Sequence, residues 1–462
     1  MNKRKNIIYI FADQWGKHSM GRYNKDIKTP NLDNFAQESF VFERAYSTCP
    51  ICSPHRACLM SGTYPLRNGV VGNCKPVWDV ELNENQLCIT DVLKSENYNT
   101  AYIGKWHLDI PSARKRPKPH DGATQWDAYT PPGKRRHGVD FWYSYGTFDD
   151  HLNPHYWTDS RKMIKIKNKW SVEHETEIAL NYIKDVMNSE NPFAMFLSYN
   201  PPHTDYDLVP KCFLNEYIDK KLNLRENVGA TTIDGSQVFD RKTKDIIANT
   251  KKYYAAISGI DYYLGKILDF LKNNGLYENT IIVVSSDHGD LMGSHGLYGK
   301  AIWYEEATNI PFIIGGAVRQ GVSNQLIGSP DHAPTLLELA DIPIKNKFDG
   351  ISFAPVVLEK TDRNIYETLY IANYGEPSAV FKDKNENPID YGYRCLKSSR
   401  YTYVCDKRTT LFDASDEFIF DLQNDKYEKT PIRINEDNKE LFIYFRNELK
   451  KWLDKLGDGF KI

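Results

Sequence analysis

The chain has 462 residues, 41% hydrophobic and 26% charged, with a formal net charge of −2. That length buries a large core, enough for two or three domains or one large α/β unit, and the near-neutral balance announces neither nucleic acid nor an anionic membrane as partner. Eight cysteines without regular spacing argue against a disulfide framework, and no apolar run reaches the length of a membrane span.

Residues 6–12 form an apolar run too short for a signal segment with a cleavage site. It reads as a strand ending in Asp13-Gln14. Thr29-Pro30 looks like an N-cap and N1 pair for a helix over 30–38. The most informative segment follows: Cys52-Ser53-Pro54-His55-Arg56, then Ala57-Cys58-Leu59-Met60-Ser61-Gly62. Pro54 suits the first turn of a helix, which places Cys52 at the helix mouth, where free N–H groups and the dipole favour negative charge. Arg56, about one turn further, can return its guanidinium to that face and grip an oxyanion in bidentate fashion. Cys49 and Cys52 also form a Cys-x-x-Cys pair, but neither a second pair of zinc ligands nor a thioredoxin-like context accompanies it.

A second strand, 100–104, runs into Lys105-Trp106-His107, and 114–120 is a basic loop. Asp149, Asp150, His151 and His155 lie in a loop-like insert, where Asn153-Pro154 opposes a helix carrying both histidines. They are candidates for a substrate pocket or an exposed polar loop. A helix is expected over 172–188, and the strand 194–199 leads into Asn200-Pro201-Pro202-His203. A long helix spans 245–274, and the strand 280–286 ends in Asp287-His288-Gly289. His295 and Lys300 follow in glycine-rich turns. Beyond about 355 the texture changes: 394–404, 410–413 and 417–421 alternate like antiparallel strands, and 435–456 reads as a closing amphipathic helix.

Continuous apolar runs separated by helices read as buried strands of a parallel sheet. Ligands of such sheets gather beyond the carboxyl ends of the strands, and four ends here carry Asp, Gln, Lys and His. The expected architecture is α/β: a large, mostly parallel mixed sheet sandwiched by helices over 1–370, and a smaller α+β subdomain over 371–462.

From Cys52 to Gly62 the residues match Cys-x-Pro-x-Arg-x-x-x-Leu/Met-Thr/Ser-Gly, and on this segment the chain resembles the type I sulfatases of the alkaline phosphatase superfamily. Gly104-Lys105-Trp106-His107, Pro202-His203, Asp287-His288-Gly289, Lys300 and the phrasing around Arg400 and Asp421 extend the resemblance from residue 6 to about 456. It implies an alkaline phosphatase-like fold, oxidation of Cys52 to formylglycine by a maturing enzyme, and hydrolysis of a sulfate ester. It further implies one divalent cation on Asp13, Gln14, Asp287 and His288. Calcium is the choice by resemblance, with magnesium or manganese left open, because Gln14 and His288 depart from the more acidic family pattern. Arg56, Lys105, His107, His203 and Lys300 would surround the sulfate. His203 would be the general acid and His107 the base, with these roles exchangeable or shared with Lys300. His295 is a substrate contact or a structural residue. The alternatives are a phosphonate monoester or phosphodiester hydrolase of the same fold, and a non-catalytic glycan- or anion-binding relative. The expected substrate is a sulfated saccharide, with an aryl or choline sulfate behind it. As written the chain reads as cytoplasmic, and as periplasmic or secreted if a leader has been removed.

Overall fold

The computed structural model describes residues 4–76, 78–112, 121–229, 243–345, 348–359, 364–375, 391–408 and 416–462. The basic loop 114–120 and the strand expected at 410–413 lie outside these residues. Ten strands come first: β1 (Asn6–Asp13), β2 (Phe40–Tyr46), β3 (Asn99–Lys105), β4 (Phe141–Tyr145), β5 (His155–Tyr156), β6 (Ile164–Lys165), β7 (Phe193–Pro202), β8 (Thr280–Ser286), β9 (Phe312–Gly316) and β10 (Gly321–Gly328). All but the β5–β6 ribbon form one eight-stranded sheet, ordered β10-β2-β9-β8-β1-β7-β3-β4. β9 runs antiparallel to both neighbours and the other pairings are parallel.

The apolar runs are continuous because both faces of the sheet are covered. In β1, Ile7, Tyr9 and Phe11 enter one core and Ile8, Ile10 and Ala12 the other. The second core is roofed by the helices Ser171–Val186 and Thr243–Asn273, through residues such as Ile183, Ile257 and Leu264. The first core takes the helices Cys52–Ser61 and His332–Leu339 and the carboxy-terminal elements. Adjacent strands lie about 4.8 Å apart, so the neighbours β8, β1, β7 and β3 deliver their carboxyl ends side by side. Gly104, near the end of β3, has φ +96°, and a Cβ there would meet the Ser198 carbonyl oxygen at 2.1 Å. Only glycine lets β3 approach β7 this closely just before Lys105.

The smaller sheet is antiparallel: β11 (Leu369–Asn373), β12 (Tyr393–Lys397), β13 (Tyr401–Asp406) and β14 (Asp416–Asp421), in that order. Residue 370 therefore falls inside β11. The run expected over 394–404 is two strands, turned at Ser398, whose Oγ accepts from the Tyr401 and Arg400 N–H groups. The last helix, Lys439–Leu456, starts later than 435 because Asn435 and Asn438 close a turn on each other's backbone N–H. Thr29 does not cap the Pro30–Glu38 helix: its hydroxyl accepts from Gly21 N–H, and Asp261 caps the Asn31 and Leu32 N–H groups instead. Among the described residues, no helix is long and apolar enough to cross a membrane.

The two sheets are joined through a buried ion cluster. Lys397 Nζ lies 2.8 Å from Glu305 and 3.0 Å from Glu428, and donates to Thr402. Lys397→Met leaves the buried Glu428 and the half-buried Glu305 without their cation, and removing one partner of a buried group costs about 3–5 kcal/mol. We expect a loss of that size in chemical denaturation; an unchanged midpoint would rule out this clamp.

Candidate active site

Cys52 is the first residue of a fully buried helix that ends at Gly62, whose φ of +64° closes the last turn onto Cys58 O. The Ser53 N–H is taken by Asn73 Oδ1 at 3.0 Å, and the Ser53 hydroxyl donates to His107 O. The helix mouth is thereby fixed against the segment after β3. Cys52 Sγ faces Lys300 Nζ at 3.2 Å, His288 Nε2 at 3.3 Å and Asp13 Oδ1 at 3.6 Å. Burial and Asp13 push its thiol up, but Lys300, Lys105 and His288 outweigh them and hold it well below the usual thiol range. By contrast, burial carries Cys49 well above that range. All eight cysteines are free thiols, so Cys49 and Cys52 form no bridge.

Asp13, Cys52, Asp287 and His288 present ligand atoms all within 4.8 Å of one another. Burial and the neighbouring Asp13 charge push the Asp287 carboxyl up to about 6, the sign of two carboxylates crowded together. His288 Nδ1 donates to Gly289 O at 3.0 Å, which leaves the Nε2 lone pair aimed at the carboxylates. Gln14, at φ +73°, gives its amide N–H groups to Asp290 and Tyr206. Since a carboxylate can only accept, Gln14 Oε1 is turned the other way, to Lys300 Nζ at 2.6 Å. Two carboxylates, an amide oxygen and an imidazole nitrogen so oriented fit a divalent cation.

Arg56 lies at the centre of these groups. Its Nη2 donates to Asp13 at 3.0 Å and to Asp287 at 3.1 Å, and its Nη1 to Ser198 Oγ and Lys105 O. Both terminal nitrogens are thus committed, while Nε is buried without a partner among the described residues, so Arg56 neutralises and aligns the carboxylates. Lys105 Nζ bridges Asp13 at 2.8 Å and Asn200 Oδ1 at 2.9 Å. Asn200 in turn donates to Asp149, which lies 3.3 Å from His203 Nδ1. Burial and Lys300 oppose protonation of His203, yet the Asp149 and Asp13 charges prevail and raise it to about 9. His107, at φ +53°, is buried beside Cys52, and burial lowers its pKa against the opposing effect of the Cys52 side chain. Lys300 and His203 each keep 17% side-chain exposure, which marks the open side of the site.

The remaining candidates go elsewhere. His295 stacks on Tyr304 at 3.6 Å and accepts from Asn227, a structural setting. Asp150 accepts from Asn153 N–H within its own turn. His151 is buried and donates to His203 O at 3.0 Å, a support for the loop that carries His203. His155 is tied to Asp127, and its ring borders a cavity of about 280 Å³ lined by Phe148 and Met163. The sequence reading missed Asn200, Asn73, Asp290 and Tyr206. Only Asp290, three residues past Asp287 in the same turn, carried a local signal.

Known proteins share the sequence and the fold of this chain. A family model described as Sulfatase matches residues 5–342, and one described as N-sulphoglucosamine sulphohydrolase, C-terminal, matches 293–455. An endo-4-O-sulfatase of Bacteroides thetaiotaomicron is 35% identical over 98% of this chain and 92% of its own length. An ulvan-active sulfatase of Formosa agariphila is 30% identical over 99% and 83%. A solved structure from Bacteroides thetaiotaomicron, described with the metabolism of multiple glycosaminoglycans, has a TM-score of 0.85 at 32% identity and covers 99% of this chain and 97% of that one.

Proposed function

This chain belongs to the sulfatase family and is a sulfuric ester hydrolase, and on that premise we propose that it removes sulfate from a saccharide. The observation that carries the reading is Cys52 at a helix mouth, enclosed by two carboxylates, His288 and Lys300. The endo-4-O-sulfatase and the ulvan-active sulfatase are more similar to this chain, at 35% and 30% identity, than an arylsulfatase at 28% or a choline-sulfatase at 26%, which supports a sugar over an aryl or choline ester.

Formylglycine, made from Cys52 by a maturing enzyme, would supply an aldehyde hydrate as the nucleophile toward sulfur. A divalent cation, calcium by its mainly oxygen donor set, would be held by Asp13, Gln14, Asp287 and His288 and would supply Lewis-acid stabilisation of negative charge. Arg56 keeps both carboxylates ionised and in place. Lys105 and Lys300 balance charge on the transferring group, work that is mostly electrostatic. His203, protonated at neutral pH, gives its proton to the departing sugar oxygen, and Asp149 holds the imidazolium. His107, buried beside Cys52 with its pKa lowered by burial, would accept a proton at position 52.

Removing a general acid costs ~10²–10⁴-fold when the leaving group is poor. We expect His203→Ala to harm a sugar sulfate by that much and a nitrophenyl sulfate far less. For the wild type, kcat/KM on the sugar sulfate falls as pH rises through about 9, where His203 loses its proton. Asp149→Asn removes a charge that raises this pKa, so the falling limb moves to lower pH. Equal losses across a leaving-group series, or an unmoved limb, would transfer the acid role to Lys300 or His107.

A further inference from the structure

Beside the catalytic centre lies a cavity of about 310 Å³ that begins at Ile51 and Lys300 and extends past Asn73 and Lys75 to Trp78 and Arg408. Its described lining holds three cations and no carboxylate. These cations differ in what they have left to offer. Lys300 is turned to Cys52 and Gln14. Arg408 is closed on Asp406 by two bonds of 2.9 Å. Among the described residues Lys75 has no carboxylate partner: its Nζ is held between two indole rings, 4.5 Å from the Trp78 centroid and 4.7 Å from that of Trp126. Cation–π contacts fix the position of an ammonium group without neutralising it. Asn73, two residues before Lys75, is bonded to the first turn of the nucleophile helix, so the charge stands in a set relation to Cys52. A fixed, unneutralised cation in a cavity opening from the sulfate centre selects for negative charge on the ligand.

We infer that the substrate carries a second anionic group, a carboxylate or a further sulfate, next to the scissile ester, and that Lys75 binds it. This rests on the sulfatase reading and narrows it to polyanionic saccharides. The Trp78 and Trp126 rings aim Lys75, and Asn73 links its loop to the reacting end.

The test is calorimetric binding to protein whose Cys52 is still a thiol, paired with turnover by the fully oxidised enzyme. One ligand pair is a sulfated, uronate-containing disaccharide and the same molecule with its carboxyl reduced to the alcohol. The other is a disulfated and a monosulfated form of one monosaccharide. In at least one pair the more anionic member should bind about tenfold tighter, the worth of one charge-assisted contact, and the pair that shows it identifies the anion. Lys75→Met should abolish that difference, and Lys75→Arg should keep it. In turnover, Lys75→Met should raise KM for the anionic member, leaving kcat and nitrophenyl sulfate hydrolysis unchanged. Equal wild-type binding within both pairs overturns the assignment, as does a Lys75→Met loss common to every ligand. If the binding difference stands but no ester is turned over, the assignment survives and the sulfatase reading fails.

Discussion

Cys52→Ala and Cys52→Ser should each lower turnover of every sulfate ester by ~10⁴-fold or more, the order of loss when a covalent nucleophile is removed. Alanine cannot become the aldehyde hydrate that the family mechanism uses, and serine can reach it only if its hydroxyl is oxidised, so the serine variant is assayed on protein whose mass shows an intact serine at position 52. The serine variant is the sharper of the two, because it keeps a hydroxyl at the helix mouth but offers no second oxygen to expel sulfate from the intermediate. The loss should not come from unfolding. Cys52 is a small side chain at the first helical position, and the packing of the helix rests on Ala57, Leu59 and Met60 further along. Unchanged thermal unfolding with abolished turnover is the expected pairing, and an unoxidised serine variant within tenfold of wild type would remove position 52 from the chemistry.

The second large effect belongs to Asp13. Its carboxylate meets Arg56, Lys105 and Lys300, and it sits beside Cys52 and His288 at the end of the central strand. Asp13→Asn withdraws one of two charges from the cation site and leaves Arg56 and Lys105 under-compensated. We expect bound metal to fall well below one equivalent and the rate to fall by at least about 10³-fold. Asp287→Asn should act in the same direction with less disturbance of Lys105, so the pair separates metal loss from misplaced lysine. Full metal content in the double variant would show that these carboxylates are not the site.

Much of this centre was legible because buried parallel strands leave a plain trace. Residues 7–12, 101–104 and 281–284 are apolar end to end, and each run leads to a residue of obvious chemistry, Asp13, Lys105 or Asp287. Parallel pairing of β8, β1, β7 and β3 then turns separate strand ends into one site. What stayed hidden is long-range. Nothing local tells that Arg56 spends its guanidinium on Asp13 and Asp287, or that Asp290 and Tyr206 turn the Gln14 amide. The path from Lys105 through Asn200 and Asp149 to His203 joins segments that only the sheet brings together. The Ser398 turn lacked Gly, Asn or Pro, so β12 and β13 read as one strand. His151 and His155 looked alike in the sequence, yet one supports the His203 loop and the other is spent on Asp127. That difference depends on where Asp127 lies, which spacing does not encode.

The most direct measurement is the specific activity on one sulfated saccharide across preparations that differ only in maturation. Peptide mass spectrometry gives the fraction of position 52 present as formylglycine in each. Activity should rise in proportion to that fraction and extrapolate to zero for the pure thiol form, with the same metal content throughout. Substantial turnover by protein whose Cys52 is entirely thiol would contradict the account.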